Sequence, residues 1–150
     1  MEPDTPCQIR ERVLAQHDLL RLRLQGLAQG ADRLRAGSLH IEELRVLAWE
    51  MLALLQAHVK DEERWLLPAL READGFGPAR VEALQREHLA QARELEETLA
   101  ALRATQDPET LAKGVESLVQ RILDDMDEEE ATYLSPNLLK DDLIVTGFIG

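Results

Sequence analysis

Cysteine, aromatic residues and positive charge are all scarce in this sequence. The single cysteine, Cys7, excludes an intrachain disulfide and fits a reducing compartment. Aromatic residues make up only 3% of the 150 residues, whereas leucine, alanine, glutamate and arginine are abundant, so the composition favours helices over sheets. The net charge of −12 argues against nucleic acid or an anionic membrane surface as a partner.

Long apolar runs are also absent. No run approaches the roughly 20 residues that cross a bilayer. The first residues, MEPDTPCQIRER, lack the basic start and apolar stretch of a signal peptide. We therefore expect a cytoplasmic protein. Hydrophobic residues make up 45% of the chain, which is enough to form the core of one domain.

Four stretches of the chain repeat apolar residues at helical spacing, separated by capping and breaking residues. The first helix is predicted to begin at the cap Thr5-Pro6-Cys7-Gln8 and to end at Gly37-Ser38, which also caps the second helix. A loop at 74–78 separates the second helix from the third. The fourth helix is predicted to begin at Asp107-Pro108 and to end at 135–137. Pro68 should kink or end the second helix. Short connections predict an all-α, antiparallel up-down-up-down four-helix bundle over residues 1–136, followed by a short C-terminal tail, 137–150.

Histidines occupy apolar positions in three of these helices. His17, His58 and His88 lie on the core-facing stripes of the first, second and third helices. Glu62 follows His58 by four residues and therefore lies on the same helix face. The remaining histidine, His40, lies at the start of the second helix, where we expect it to be exposed.

Counting residues from the loops places these polar groups at one height of the bundle. His17 and His58 are each 20 residues from the first loop, which corresponds to about 30 Å of helix. Glu62 and His88 are 13 and 11 residues from the second loop, and the fourth helix reaches this height near 124–126. The spacing therefore predicts one polar layer in the core, built from all four helices.

A buried layer of imidazoles and a carboxylate needs compensation, because unpaired buried polar groups cost several kcal/mol. A hydrogen-bonded core histidine is the simpler interpretation for any one of the three alone. For three histidines at one height with Glu62, a metal site is the better interpretation. Imidazole with carboxylate suits iron, zinc or manganese, and helical bundles hold carboxylate-bridged metal pairs in their cores.

These segments resemble the hemerythrin-like family, also called the HHE cation-binding domain, over roughly residues 9–136. The most specific piece is HVKDEERWLLPAL, which begins at His58 and resembles the second-helix signature of the family. The segment VLAQHDLL places His17 at the first-helix histidine of the family, and LQREHLA places His88 at the third-helix histidine.

The resemblance implies a four-helix bundle with a non-haem di-iron centre bridged by an oxo or hydroxo group, with manganese or zinc as alternative metals. His17, His58 and His88 would each ligate one iron, and Glu62 would bridge the pair. Ala92 stands four residues after His88, so the chain does not match the oxygen-carrying variant with two histidines on that helix.

The fourth helix departs from the family pattern, because ILDDMDEEEATYLSP contains no histidine. One register places Met126 and Glu130 at the histidine and carboxylate positions, and a shift by one residue places Asp125 and Glu129 there. Asp125, Glu129 or Glu130 would therefore complete the ligand set. Exchanging histidine for carboxylate makes the site harder and more anionic, which favours ferric iron or manganese.

The resemblance implies a protein that binds or senses O2, nitric oxide or peroxide, and a peroxidase or oxidase is a further interpretation. The alternative from another class is a metal-free, degenerate bundle that acts as a protein-interaction module. The tail either covers the open end of the bundle or docks on a protein partner through its apolar residues, Leu143, Ile144, Val145 and Phe148.

Overall fold

The computed structural model describes residues 4–141, and its regular secondary structure in that range is entirely helical. The elements are α1 (Pro6–Arg35), α2 (Ile41–Asp61), a π-helical turn (Glu62–Leu66), α3 (Leu67–Ala73), α4 (Gly77–Ala104) and α5 (Pro108–Thr132). The segment α2–π turn–α3 acts as one interrupted helix. It packs with α1, α4 and α5 as an antiparallel bundle, which confirms the predicted all-α fold with four helical segments.

The predicted caps of the first and fourth helical segments are confirmed. Gln8 N–H donates to Thr5 Oγ1 at 3.2 Å, and Thr5 N–H donates to Gln8 Oε1 at 2.9 Å, which completes a capping box. Gly37 follows α1 with a φ of +77°, a conformation that glycine adopts without steric cost. Asp107 caps α5 by accepting from Thr110 N–H at 3.0 Å.

The prediction that Ser38 caps the second helix is wrong. That helix begins at Ile41, and His40 is its N-cap. His40 Nδ1 accepts from Glu42 N–H at 3.2 Å, and Glu43 accepts from His40 N–H at 3.1 Å. Ser38 lies too early in the chain for this role, and its hydroxyl donates to the Arg33 carbonyl instead.

The interruption expected near Pro68 takes the form of a π turn. Proline lacks an N–H, and its ring clashes with the carbonyl four residues earlier. The Leu67 N–H donates to the Glu62 carbonyl, so the helix widens for one turn and resumes with Pro68 in the first turn of α3. The predicted loop at 74–78 is shorter than expected, because Gly77 and Pro78 already belong to α4.

Buried apolar side chains form two separate clusters along the bundle. The larger cluster contains Leu24, Leu44, Leu55, Leu111 and Ile122 among others. The smaller one contains Val13, Leu66, Leu70, Leu84, Leu134 and Leu139. Between them lie the polar residues that are buried in the described chain, His17, His58, Glu62 and His88. The polar layer that the sequence predicts therefore divides the core.

Residues 133–141 fold back over the end of the bundle where α1 begins. Tyr133, Leu134 and Leu139 are buried in the smaller cluster. Asp141 Oδ1 accepts from Cys7 N–H at 2.9 Å, in the first turn of α1. The rest of the predicted apolar tail, with Leu143, Ile144, Val145 and Phe148, lies outside the described residues.

Within residues 4–141, no helix combines enough residues with enough apolar character to cross a bilayer.

Leu139→Ala should lower the free energy of unfolding by about 2–5 kcal/mol, because it opens a cavity in the smaller cluster. Leu22→Ala, at a side chain that is 64% exposed, is the matched control and should change stability by less than about 0.5 kcal/mol. Urea unfolding followed by circular dichroism measures both. Equal effects of the two substitutions would show that residues 133–141 contribute nothing to the core.

Candidate metal centre

Five polar side chains from four helical segments meet between the two apolar clusters. They are His17 of α1, His58 of α2, Glu62 of the π turn, His88 of α4 and Glu129 of α5. His17 and Glu62 have no exposed surface, and His88 is only 8% exposed. The residues predicted for the layer in the first three segments therefore come together as expected.

The Glu62 carboxylate lies at the centre of this layer. Its Oε1 is 2.5 Å from His58 Nε2 and 3.4 Å from His17 Nε2. Its Oε2 is 3.0 Å from His88 Nε2. The two oxygens of one carboxylate thus face histidines on different sides, which is the arrangement of a group able to bridge two cations.

Glu129 supplies the carboxylate of the fourth segment. Its Oε1 is 3.2 Å from His17 Nε2, and its Oε2 is 3.7 Å from His88 Nε2. Ligand atoms of His17, His58, Glu62 and Glu129 all lie within 4.8 Å of one another, a group compact enough to hold a metal ion.

Glu130 lies behind His17 rather than inside the layer. Its Oε2 accepts from His17 Nδ1 at 2.8 Å, on the ring edge opposite to Glu62. Arg21 donates to the same oxygen and also to Asp127 at 3.0 Å. Arg21 was not among the residues predicted from the sequence, although its position four residues after His17 places it on the same face of α1.

Asp125 and Met126, one from each of the two registers considered for the fourth helix, lie outside the group. Asp125 accepts from Gln91 Nε2 at 2.9 Å and lies 3.4 Å from Arg121 Nε. Met126 is buried in the larger apolar cluster. Of the three candidate carboxylates on α5, Glu129 faces the Nε2 atoms of His17 and His88 inside the layer. Glu130 contacts His17 only from behind, at Nδ1, and Asp125 bonds to Gln91.

His58 is oriented by a chain of polar contacts comparable to that of His17. Its Nδ1 donates to Gln16 Oε1 at 2.7 Å, and Gln16 Nε2 donates to Asp61 at 3.0 Å. Because both rings use Nδ1 as a donor, His17 and His58 direct Nε2 into the layer, the orientation that metal-ligating histidines take. No sequence signal identified Gln16, because its role depends on the packing of α1 against α2.

Several buried atoms of the layer make no hydrogen bond of acceptable geometry among the described residues, although some of them lie within ion-pair distance of one another. They are Glu62 Oε2, Glu129 Oε1 and both ring nitrogens of His88. Each unsatisfied buried polar atom costs about 1–3 kcal/mol. Carboxylate oxygens and imidazole nitrogens around one space are ligands that suit iron, zinc and manganese, so the residues present fit a metal centre.

When no metal is bound, protons on the imidazoles partly compensate the negative charge of the buried carboxylates. Burial lowers the pKa of His17, but the carboxylates of Glu129 and Glu62 outweigh burial and raise this pKa to about 10. The same balance raises the pKa of His88 to about 9. Burial acts to raise the pKa of Glu62, but hydrogen bonds with Glu129 and the imidazoles hold it well below its usual range. Burial and the neighbouring Glu62 raise the pKa of Glu129.

A cavity of about 160 Å³ lies between α4 and α5 on one side of the layer. It is lined by Glu87, His88, Ala90, Gln91, Arg121, Asp125, Glu128 and Glu129. His88 and Glu129 belong to the layer, whereas Glu87 and Glu128 are exposed. The cavity therefore connects the polar layer with solvent through a largely acidic groove.

The chain was compared with known families, curated proteins and solved structures. The family model described as hemerythrin HHE cation binding domain matches residues 8–135. No curated protein and no solved structure matches the chain. The matched range includes every residue of the layer and both apolar clusters except Leu138 and Leu139.

The stability of the metal-free chain should fall as pH rises from 7 to 9.5. Since the folded-state pKa values of His17 and His88 lie above the ordinary 6.5, their protonated forms contribute stability below about pH 6.5 that is lost as pH rises through 9 to 10. Thermal unfolding at several pH values measures this effect. The double variant His17→Gln/His88→Gln should show a flatter dependence, and a wild-type midpoint that stays constant or rises would contradict the assignment.

Glu130→Gln should weaken metal binding by roughly 10–100-fold without removing an ion, because Glu130 orients His17 rather than ligating. Competition with a chromogenic chelator measures the affinity, and elemental analysis measures the stoichiometry. Asp124→Asn, at an exposed position of the same helix, is the control. Loss of a whole equivalent of metal in Glu130→Gln would instead identify Glu130 as a ligand.

Proposed function

This chain belongs to the hemerythrin HHE cation binding domain family, and from that premise we propose that it is a non-haem di-iron protein that binds or senses O2, nitric oxide or peroxide. The observation that carries the proposal is the fully buried Glu62, whose two oxygens face imidazoles on two sides. A carboxylate so placed is suited to bridging a metal pair.

Different residues of the layer would bind the two ions of such a pair. His17 and His58 present Nε2 on one side, His88 presents its ring on the other, and the carboxylates of Glu62 and Glu129 are shared. Bound iron would supply redox chemistry and an open position for a small ligand. The two apolar clusters flank the layer and restrict access of water to it.

The size of the cavity supports a small ligand. At about 160 Å³, the space beside His88 and Glu129 is small compared with the 300–1,000 Å³ of ordinary ligand pockets. A diatomic molecule or peroxide fits this space, whereas a bulky organic substrate does not. This observation favours binding or sensing over an oxidase that acts on a large substrate.

The alternative hypothesis, that the chain is a metal-free interaction module, accounts less well for the buried polar layer. Such a module would leave four buried polar atoms without hydrogen bonds of acceptable geometry, and a buried polar atom that is fully unsatisfied costs about 1–3 kcal/mol. Apolar residues at these positions would fill the same space without that cost. We therefore favour the metal-binding function, and the metal-free module is the result to expect if no metal binds.

The test is the metal content per chain of protein expressed with iron, together with its absorption spectrum. We expect about two irons and the near-ultraviolet bands of an oxo-bridged pair, and these bands should change when O2, nitric oxide or peroxide is added to the reduced protein. Continued consumption of peroxide would identify an enzyme rather than a reversible binder.

The matched variants are His17→Ala and His40→Asn. His17→Ala removes a ring from the layer and should lower the iron content. His40→Asn removes the exposed histidine while keeping a residue that caps α2 well, so its iron content should equal that of the wild type. Trace iron, zinc and manganese in the wild-type protein would reject the di-iron function.

A further inference from the structure

The two sides of Glu62 offer different ligand sets. The side toward α1 and α2, here called the inner set, contains His17, His58 and the Oε1 atoms of Glu62 and Glu129. Both imidazoles of the inner set are held by hydrogen bonds from Nδ1, to Glu130 and Gln16. The inner set therefore has two preoriented imidazoles and two carboxylate oxygens.

The side toward α4, here called the outer set, offers fewer imidazole ligands. It contains His88 and the Oε2 atoms of Glu62 and Glu129, at 3.0 and 3.7 Å from His88 Nε2. His88 Nδ1 has no hydrogen-bond partner among the described residues, and the nearest carboxylate oxygen, on Glu63, lies 3.9 Å away. The one imidazole of the outer set is therefore not preoriented.

Within residues 4–141, no second imidazole completes the outer set. Ala92, four residues after His88, is exposed. The next polar side chains along the groove are Gln91 and Asp125, which bond to each other at 2.9 Å across α4 and α5. Both line the cavity together with the buried His88, whose ring nitrogens make no hydrogen bond of acceptable geometry among the described residues. The outer set therefore opens toward solvent through an amide and a carboxylate.

We propose that the two metal positions of this chain are unequal: the inner set retains its ion, whereas the outer set holds an ion weakly and exchanges it with solution through the groove between α4 and α5. This inference rests on the proposed metal-binding function. Carboxylate, amide and water ligands favour harder ions such as Mn²⁺, whereas the two imidazoles of the inner set suit iron, cobalt or zinc.

The difference in ion retention between the two sets follows from the preorganisation of their imidazoles and from their access to solvent. An unoriented His88 loses ring freedom when it binds an ion, whereas His17 and His58 are already fixed by their second partners. The cavity that is open to water is lined by His88 and Glu129 of the outer set, whereas His17 and His58 of the inner set do not line it. An ion that leaves the outer set can therefore pass into solution, where a chelator captures it. Both the affinity and the rate of release should therefore differ.

The experiment uses the full chain loaded anaerobically with Co²⁺, whose visible absorption reports each ion. Stepwise addition should show one tight and one weaker equivalent. A chromogenic chelator should then remove one ion quickly and the other slowly. His88→Ala should remove the fast phase and lower the stoichiometry from two to one, whereas His17→Ala should remove the slow phase.

A gain-of-ligand variant keeps the test independent of any folding defect. Asp125→His adds an imidazole beside His88 and should slow the fast phase, whereas Asp124→Asn, on the exposed face of α5, should leave both phases unchanged. Two ions that leave together, or a fast phase that survives His88→Ala, would overturn the inequality while the metal-binding function stands. Absence of any bound Co²⁺ would overturn both.

Discussion

A carboxylate that is fully shielded from water needs positive charge or hydrogen-bond donors around it, and Glu62 finds them on three helices. His17, His58 and His88 each bring a ring nitrogen within 3.4 Å of its oxygens. An ionised group left alone in such a place would be strongly destabilising. The positions of α1, α2 and α4 relative to one another are therefore tied to this single side chain.

The need to surround Glu62 with imidazoles explains why the apolar core is divided into two clusters. Each of the four helical segments interrupts its apolar stripe at the same height, so the leucines form one cluster above the polar layer and another below it. The π turn begins at Glu62 itself, where the helix must both place this carboxylate and accommodate Pro68. Leu66 and Leu70 still follow at four and eight residues, and both are buried in the smaller cluster.

The sequence predicts the polar layer because helix rise and loop length fix the height of each residue. It does not choose between Glu129 and Glu130, since neighbouring helical residues point only about 100° apart and both lie near the apolar stripe. The contact of Glu130 with Arg21, and that of Gln16 with His58, depend on how α1 packs against α5 and α2. Such contacts between helices have no signature in the spacing of one helix.

Protons compensate the carboxylates of this layer, the same groups that would bind the proposed metal ions. At neutral pH the raised pKa values keep His17 and His88 protonated beside Glu62 and Glu129, so charge balance does not require a metal. The two apolar clusters lie outside the layer and hold the helices together on either side of it. This apolar packing does not depend on a metal, unlike that of small domains in which metal binding supplies the folding energy. If the two proposed metal positions are unequal, this apolar packing would keep the remaining ligands in place when one ion leaves.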